Sequence, residues 1–127
     1  MNIIRSSNLQ FVPASHEDAK NPGSFKKVLF GKDDLLDGRI AMVNWAKLPR
    51  RKSFRAHFHE DMEEVFIIMS GKVEITVEQE SATLEKGDAI VIPIHAVHTM
   101  KAVGEEDTEY IAMGISLGKG GKTVVTQ

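Results

Sequence analysis

Three histidines and one glutamate have the residue types and the spacing of metal ligands. His57 and His59 are separated by one residue, Glu64 follows five residues later, and His98 lies beyond a pair of glycine-marked hairpins. Side chains alternate between the two faces of a strand, so His57 and His59 would point the same way, with Cα atoms about 6.5 Å apart. Three imidazoles and one carboxylate suit iron, manganese, nickel, copper, cobalt or zinc. The pattern predicts one divalent transition metal per chain.

Two neighbouring glutamates compete for the place of the acid ligand. Residues 60–62 form a polar turn, and a tight antiparallel return after it would bring the next apolar run beside the histidine pair. Because alternation turns adjacent side chains to opposite faces, only one of Glu63 and Glu64 can face the histidines. Alternation alone leaves both open.

Short strands must position these side chains. Apolar or alternating runs separated by glycine, proline and acidic turns predict strands over residues 2–5, 9–12, 25–30, 39–48, 53–59, 64–69, 73–78, 89–92, 99–103 and 109–117. No helical periodicity of useful length appears, which indicates an all-β sandwich or barrel. The phase of the strand over residues 39–48 stays open: the inward set is Ile40, Met42, Asn44 and Ala46, or else Ala41, Val43, Trp45 and Lys47.

Length and composition restrict the function classes. A chain of 127 residues fits one domain, and a hydrophobic content of 42% suffices for a barrel core. The absence of cysteine excludes disulfides and thiolate chemistry. A net charge of −2 argues against a general nucleic-acid binder. No apolar run approaches the length of a membrane span and no signal-peptide core opens the chain, so we expect no membrane partner and a cytoplasmic location.

The order and spacing of seven residues resemble the two motifs of the cupin family. The first motif, Gly-x5-His-x-His-x3,4-Glu-x6-Gly, is matched by His57, His59, Glu64 and Gly71, and the second, Gly-x5-Pro-x-Gly-x2-His-x3-Asn, by Gly87, Pro93 and His98. The chain departs from them at Arg51, His95 and Ala102, none of which is a metal ligand in the family. A turn at His95 would then carry a side chain where the family has glycine, although histidine tolerates a positive φ better than β-branched residues do.

The resemblance implies an all-β double-stranded β-helix, or jelly-roll barrel, forming a single domain over residues 1–127. Residues 1–24 would be an N-terminal arm, 25–117 the barrel and 118–127 a short tail. The resemblance also implies that His57, His59, Glu64 and His98 bind the metal, since the motif's spacing to Gly71 selects Glu64 over Glu63. In many small cupins such an arm crosses to a second subunit, so a homodimer is expected.

The inward faces of the predicted strands indicate a pocket for a small anionic molecule. Strand phase places Arg55, Phe66 and Met100 on those faces as substrate-binding residues, and Arg55 could pair with a carboxylate or phosphate unless it lies at the barrel rim. His95 and Tyr110 are possible acid–base groups, although an exposed turn and a packed ring are the preferred interpretations. No specific role is assigned to His16.

Two functions remain in competition. The first is a cupin that holds iron, manganese, nickel or zinc and acts on a small organic acid, sugar or related metabolite as an oxygenase, isomerase or lyase. The alternative is a non-catalytic module that binds or senses a small molecule and contains a structural metal. Fold alone does not decide between them, because one fold supports many reactions.

Overall fold

The computed structural model describes residues 1–117 and 122–126, and strands dominate that part of the chain. In chain order the strands are β1 Val12–Pro13, β2 Phe25–Gly31, β3 Ile40–Leu48, β4 His57–His59, β5 Met62–Ser70, β6 Lys72–Val77, β7 Glu80–Glu85, β8 Ala89–Ile92, β9 His98–Ala102, β10 Thr108–Ser116 and β11 Thr123–Val125. Short 3₁₀ turns lie at Ser6–Asn8, Lys32–Asp34 and Leu36–Gly38. No helix within these ranges is long and apolar enough to cross a membrane.

Two antiparallel sheets face each other. The six-stranded sheet has the order β1-β2-β3-β10-β5-β8, and the five-stranded sheet has the order β11-β4-β9-β6-β7. Among the described strands from β3 onwards, consecutive strands lie in different sheets at almost every step, and only β6 and β7 share one sheet. This alternation confirms the predicted all-β jelly roll.

The hydrophobic core lies between the inner faces of the sheets. Along β5 and β10 every second side chain is buried, as expected for strands packed on one face. Phe54, Leu48, Ile68, Ile75, Ile92 and Met100 are the largest apolar side chains in full burial. Each stabilises the fold by about 1.5–3 kcal/mol relative to an exposed position. On β3 the side chains of Asn44 and Ala46 are buried, which settles its phase in favour of the set that begins at Ile40.

Several predicted details differ from the structure. The strand predicted over residues 9–12 is limited to β1, Val12–Pro13. Residues 2–5 do not form a strand, and the predicted strand over residues 53–59 becomes regular only at His57. Residues 123–125, within the predicted tail, form β11, which pairs with β4. Thr123, Val124 and Val125 are β-branched and favour a strand, and they occupy the edge of β4 that does not pair with β9. Residues 118–121, predicted to break the last strand, lie outside the described residues.

The tight return that would place Glu64 beside the histidine pair is also wrong. β4 pairs with β9 and β11, whereas β5 pairs with β10 and β8 in the opposite sheet. Glu64 therefore approaches the histidines from across the sandwich and not from a neighbouring strand.

Candidate metal centre

Four buried side chains converge between the two sheets. His57 and His59 extend from β4, and His98 extends from β9 as the direct cross-strand partner of His57. Glu64 extends towards them from β5 on the facing sheet. One potential ligand atom from each of the four lies within 4.8 Å of the others. Such a spacing allows a single ion to contact all four side chains.

The acid group of this cluster is Glu64. Its Oε1 atom lies 3.1 Å from Nε2 of His59 and 3.4 Å from Nε2 of His98. Burial by itself raises the pKa of Glu64, but hydrogen bonding to His59 and the charges of His59 and His98 outweigh it and hold the pKa at about 2. Glu64 is therefore an anion at neutral pH. The neighbouring Glu63 is only half-buried and lies on the other face of β5.

The protonation of two imidazoles follows from their outer contacts. Nδ1 of His57 lies 2.6 Å from the carbonyl oxygen of Arg55, and Nδ1 of His98 lies 3.0 Å from that of Ala96. A carbonyl oxygen only accepts hydrogen bonds, so each Nδ1 carries the proton and donates. In the neutral ring the lone pair is then on Nε2. Burial, followed by the nearby His16 and His98, lowers the pKa of His57 to about 3, so this ring is neutral at pH 7.

The third imidazole is held in a similar way. Nδ1 of His59 lies 3.0 Å from Oγ1 of Thr123, the first residue of β11. Ligating histidines commonly fix their orientation through a hydrogen bond from the nitrogen that does not bind the metal. All three rings of the cluster have such an outer contact.

An unpaired nitrogen tests whether the cluster suits a metal ion. Nε2 of His98 is buried and has no hydrogen-bond partner among the described residues, because its 3.4 Å approach to Glu64 is not aligned as a hydrogen bond. A buried lone pair without a donor is unfavourable unless something else contacts it. Nε2–H of His59 donates to Glu64 in the ion-free cluster, and once an ion displaces that proton, three neutral imidazoles and one carboxylate fit a divalent transition metal.

A cavity of about 200 Å³ opens beside the cluster. Its walls include His59, Glu64, Phe66 and Thr123 at the cluster end, and Ala14, Ser15, His16, Phe25, Lys26, Ala41, Met42, Asn44, Ala46, Met62, Tyr110 and Ala112 around the rest. Burial, together with the charges of Glu64 and Glu17, raises the pKa of Tyr110, so its phenol stays protonated. The cavity combines apolar walls with a few polar groups, as is usual for small-molecule sites.

The predicted substrate-binding residues have different locations. Phe66 lines the cavity. Met100 is 1% exposed and packs in the core, and neither it nor Arg55 is among the lining residues. Phe54 and His57 are both buried although three positions separate them, so strict alternation breaks between these residues and Arg55 loses its predicted phase. Lys26, on β2, provides a cation in the cavity wall that sequence reasoning missed.

The N-terminal loop forms part of the site. The His16 ring stacks on that of His57, with ring centroids 4.1 Å apart and planes inclined by 21°. Nδ1 of His16 lies 2.8 Å from Oε2 of Glu17, and the same carboxylate accepts hydrogen bonds from the backbone N–H groups of Gly23 and Arg55. The sequence analysis gave His16 no role, because nothing local indicates that its loop returns to the histidine cluster.

The departures from the motifs keep the backbone conformation that glycine favours. Arg51 has a φ of 68° and His95 a φ of 69°, both in the left-handed region. His95 is exposed in its turn, and its N–H donates to the carbonyl oxygen of His59, 2.8 Å away. Both positions thus keep the turn conformation without glycine, and the turn at His95 contacts the cluster through His59. Ala102, at the third departure, is fully buried in the core.

Comparison with known proteins gives a consistent family assignment. Residues 44–114 match the family model described as the cupin domain. A search of curated proteins finds no match.

Similar solved structures include a predicted oxalate decarboxylase from Thermotoga maritima, with 22% identity, a TM-score of 0.81 and coverage of 91% of this chain and 100% of that chain. The polyketide cyclase RemF from Streptomyces resistomycificus has 16% identity, a TM-score of 0.77 and coverage of 100% and 87%. KdgF from Halomonas sp. has 20% identity, a TM-score of 0.70 and coverage of 90% and 94%. At these identities the likeness is one of fold.

Proposed function

Because the chain belongs to the cupin family, we propose that His57, His59, Glu64 and His98 hold one divalent transition metal ion and that this site acts on a small anionic metabolite. The observation that carries the proposal is the set of outer contacts. Two backbone carbonyls fix the protons of His57 and His98 on Nδ1, which leaves their Nε2 lone pairs for an ion beside the anionic Glu64. Iron, manganese, nickel and zinc all accept this donor set.

The bound ion would supply Lewis-acid polarisation of a substrate oxygen or, as iron or manganese, oxygen chemistry. The surrounding residues would bind and orient the substrate. Phe66 and the alanines of β3 and β10 form apolar walls that limit water, and the protonated phenol of Tyr110 can donate a hydrogen bond. Oxygenase, isomerase and lyase reactions all remain within this proposal.

Charge favours an anionic ligand. A divalent ion with three neutral imidazoles and one carboxylate keeps a formal charge near +1. Lys26 adds a second cation to the cavity wall, where it donates a hydrogen bond to Oγ of Ser15. We propose Lys26 for the anion-binding role that the sequence analysis considered for Arg55. The similar structure from Thermotoga maritima is a predicted oxalate decarboxylase, and the substrate in that name is a small carboxylate.

One observation favours the alternative of a non-catalytic module with a structural metal. The four side chains come from both sheets, with Glu64 on β5 facing the histidines of β4 and β9. An ion bound here would cross-link the two sheets and stabilise the fold by an amount that grows with the logarithm of its affinity. In this case metal removal would unfold the domain, whereas a metal used for catalysis would leave a folded, inactive protein.

Turnover of a panel of small carboxylates, with and without oxygen, tests the proposal. We expect product formation by the metal-loaded protein, its loss after chelation, and recovery on reloading. The variant Lys26→Met should raise KM for an anionic substrate about ten-fold through loss of a partly desolvated charge contact, whereas the exposed Lys101→Met should not. Metal-loaded protein that turns over no member of the panel, and that unfolds on chelation, would favour the structural alternative.

We also propose that the chain forms a homodimer. The N-terminal segment exposes several apolar side chains, among them Ile3, Ile4 and Val12. Exposed apolar side chains favour association when a second subunit covers them. Sedimentation of the purified protein should give a mass twice that of the chain, and a monomer at micromolar concentration would contradict this part of the proposal.

A further inference from the structure

A buried amide on β3 lacks a hydrogen-bond partner. Asn44 is 6% exposed, and its Oδ1 atom has no partner among the described residues. Interior polar atoms are almost always paired, because an unpaired one loses its contact with water without compensation. Within residues 1–117 and 122–126, three other buried side-chain atoms share this property, on Ser24, His98 and Thr108, but only Asn44 also lines the cavity. Asn44 therefore contributes an unpaired amide oxygen to the wall of the cavity.

The strand register places Asn44 across a gap from the metal cluster. Asn44 pairs with Ala112 of β10, and Ala112 pairs with Phe66 of β5, which is two residues from Glu64. With strands about 4.8 Å apart and inward residues about 6.7 Å apart along a strand, the Cα atoms of Asn44 and Glu64 are separated by about 12 Å. Between them β10 presents only Ala112 and Gly114 inward. Ala112 leaves room for a molecule that reaches from the cluster to the amide, whereas the side chain of Met62 fills the space over Gly114.

We propose that Asn44 is a specificity residue whose Oδ1 accepts a hydrogen bond from the hydroxyl group of a small hydroxy acid, while the carboxylate of that acid lies at the metal. This assignment rests on the proposed function of the cluster. A hydroxyl fits better than an ammonium donor, because Lys26 lines the same cavity and would repel a second cation. A site built around a buried acceptor rejects a ligand that lacks the matching donor, since the acceptor stays unpaired.

Matched pairs of acids test this assignment. The probes are glycolate and acetate, lactate and propionate, and malate and succinate, each titrated by calorimetry into metal-loaded protein. Wild-type protein should bind the hydroxylated member at least about ten-fold more tightly in one or more pairs. The variant Asn44→Leu should reduce that preference to about one-fold. Thr108→Val, which removes another unpaired buried polar atom away from the cavity, should keep the wild-type preference.

Thermal unfolding without ligand provides a second readout. An amide kept for ligand binding does not stabilise the empty protein, so Asn44→Leu should keep or raise the melting temperature. Asn44→Ala, which adds no bulk, is measured in parallel to exclude a steric effect. A fall of more than about 5 °C in both variants would show that the amide has a structural role and would overturn the assignment.

The metal content of each protein distinguishes failure of the proposed metal site from failure of the proposed role of Asn44. If no variant and no wild-type sample binds metal, the proposed function fails. If metal is bound but wild-type protein discriminates within no pair, or if Asn44→Leu keeps the preference, only the role of Asn44 fails.

Discussion

The carboxylate of Glu17 ties the N-terminal loop to the site, and its removal provides a quantitative test of the structure. Its side chain is 2% exposed. Oε1 accepts a hydrogen bond of 2.7 Å from the N–H of Gly23, and Oε2 accepts one of 2.9 Å from the N–H of Arg55. Oε2 also lies 2.8 Å from Nδ1 of His16, whose ring covers His57. One carboxylate thus positions the loop, the strand entry and the stacked ring.

The substitution Glu17→Gln keeps the shape but only one acceptor oxygen. One of the two backbone N–H groups then faces an amide NH₂ and loses its partner. A hydrogen bond to a charged group contributes about 1.5–3 kcal/mol, and relief of the cost of burying the charge offsets part of that loss. We expect a fall of about 2 kcal/mol in the free energy of unfolding at pH 7, or a melting temperature lower by about 8 °C for a domain of this size.

The effect should depend on pH in a defined direction. Burial alone raises the pKa of Glu17, but hydrogen bonds from His16, Arg55 and Gly23 outweigh it and bring the pKa below the usual value of 4.5. A carboxyl group whose pKa is depressed by folding stabilises the protein above its unfolded pKa and loses that contribution as the pH falls through its folded pKa. The difference between wild type and Glu17→Gln should therefore be greatest at neutral pH and should shrink below about pH 4.5.

Urea unfolding of both proteins between pH 7 and pH 3 measures these quantities. Glu78→Gln is the matched control, since Glu78 also accepts a backbone hydrogen bond, from Val97, but is exposed. Its effect should stay below about 0.5 kcal/mol. Equal effects of the two substitutions, or a Glu17 effect that does not change with pH, would refute the reasoning.

Two further substitution pairs give comparative predictions. Gly71 and Gly87 both have a positive φ. A Cβ added at Gly71 would lie 2.8 Å from the Cα of Thr108 and would collide with it, whereas a Cβ added at Gly87 would meet nothing within 4 Å. Thermal unfolding should show that Gly71→Ala costs at least about 3 kcal/mol and Gly87→Ala about 1 kcal/mol, and similar costs would contradict the packing described. Glu64→Gln should weaken metal binding at least about ten-fold in competition titrations, whereas Glu63→Gln should not. Weaker metal binding in both variants would contradict the assignment of Glu64 as the acid ligand.

The histidine pair and the β-fold could be predicted because they depend on local rules. Alternation along a strand is enough to turn His57 and His59 to the same side, and both are indeed buried at the cluster. The glycines and prolines between apolar runs also located most of the strands, because the backbone preferences of these two residues act within a few positions.

The remaining features depend on contacts between distant segments. Alternation does not say which sheet a strand joins, so the approach of Glu64 from the facing sheet could not be read from the turn before it. The irregular backbone before His57 broke the phase on which the placement of Arg55 depended. The stacking of His16 on His57 joins residues 41 positions apart, and no local pattern encodes it.

The metal content of the protein tests the central claim most directly. Wild-type protein and the variants His98→Ala and His95→Ala are purified in parallel, incubated with iron, manganese, nickel or zinc, and analysed for bound metal. We predict about one ion per chain in wild type and in the variant of the exposed His95, and a loss of at least about ten-fold in affinity for His98→Ala. Folded wild-type protein that retains none of these ions, or His98→Ala that binds as wild type does, would contradict the account.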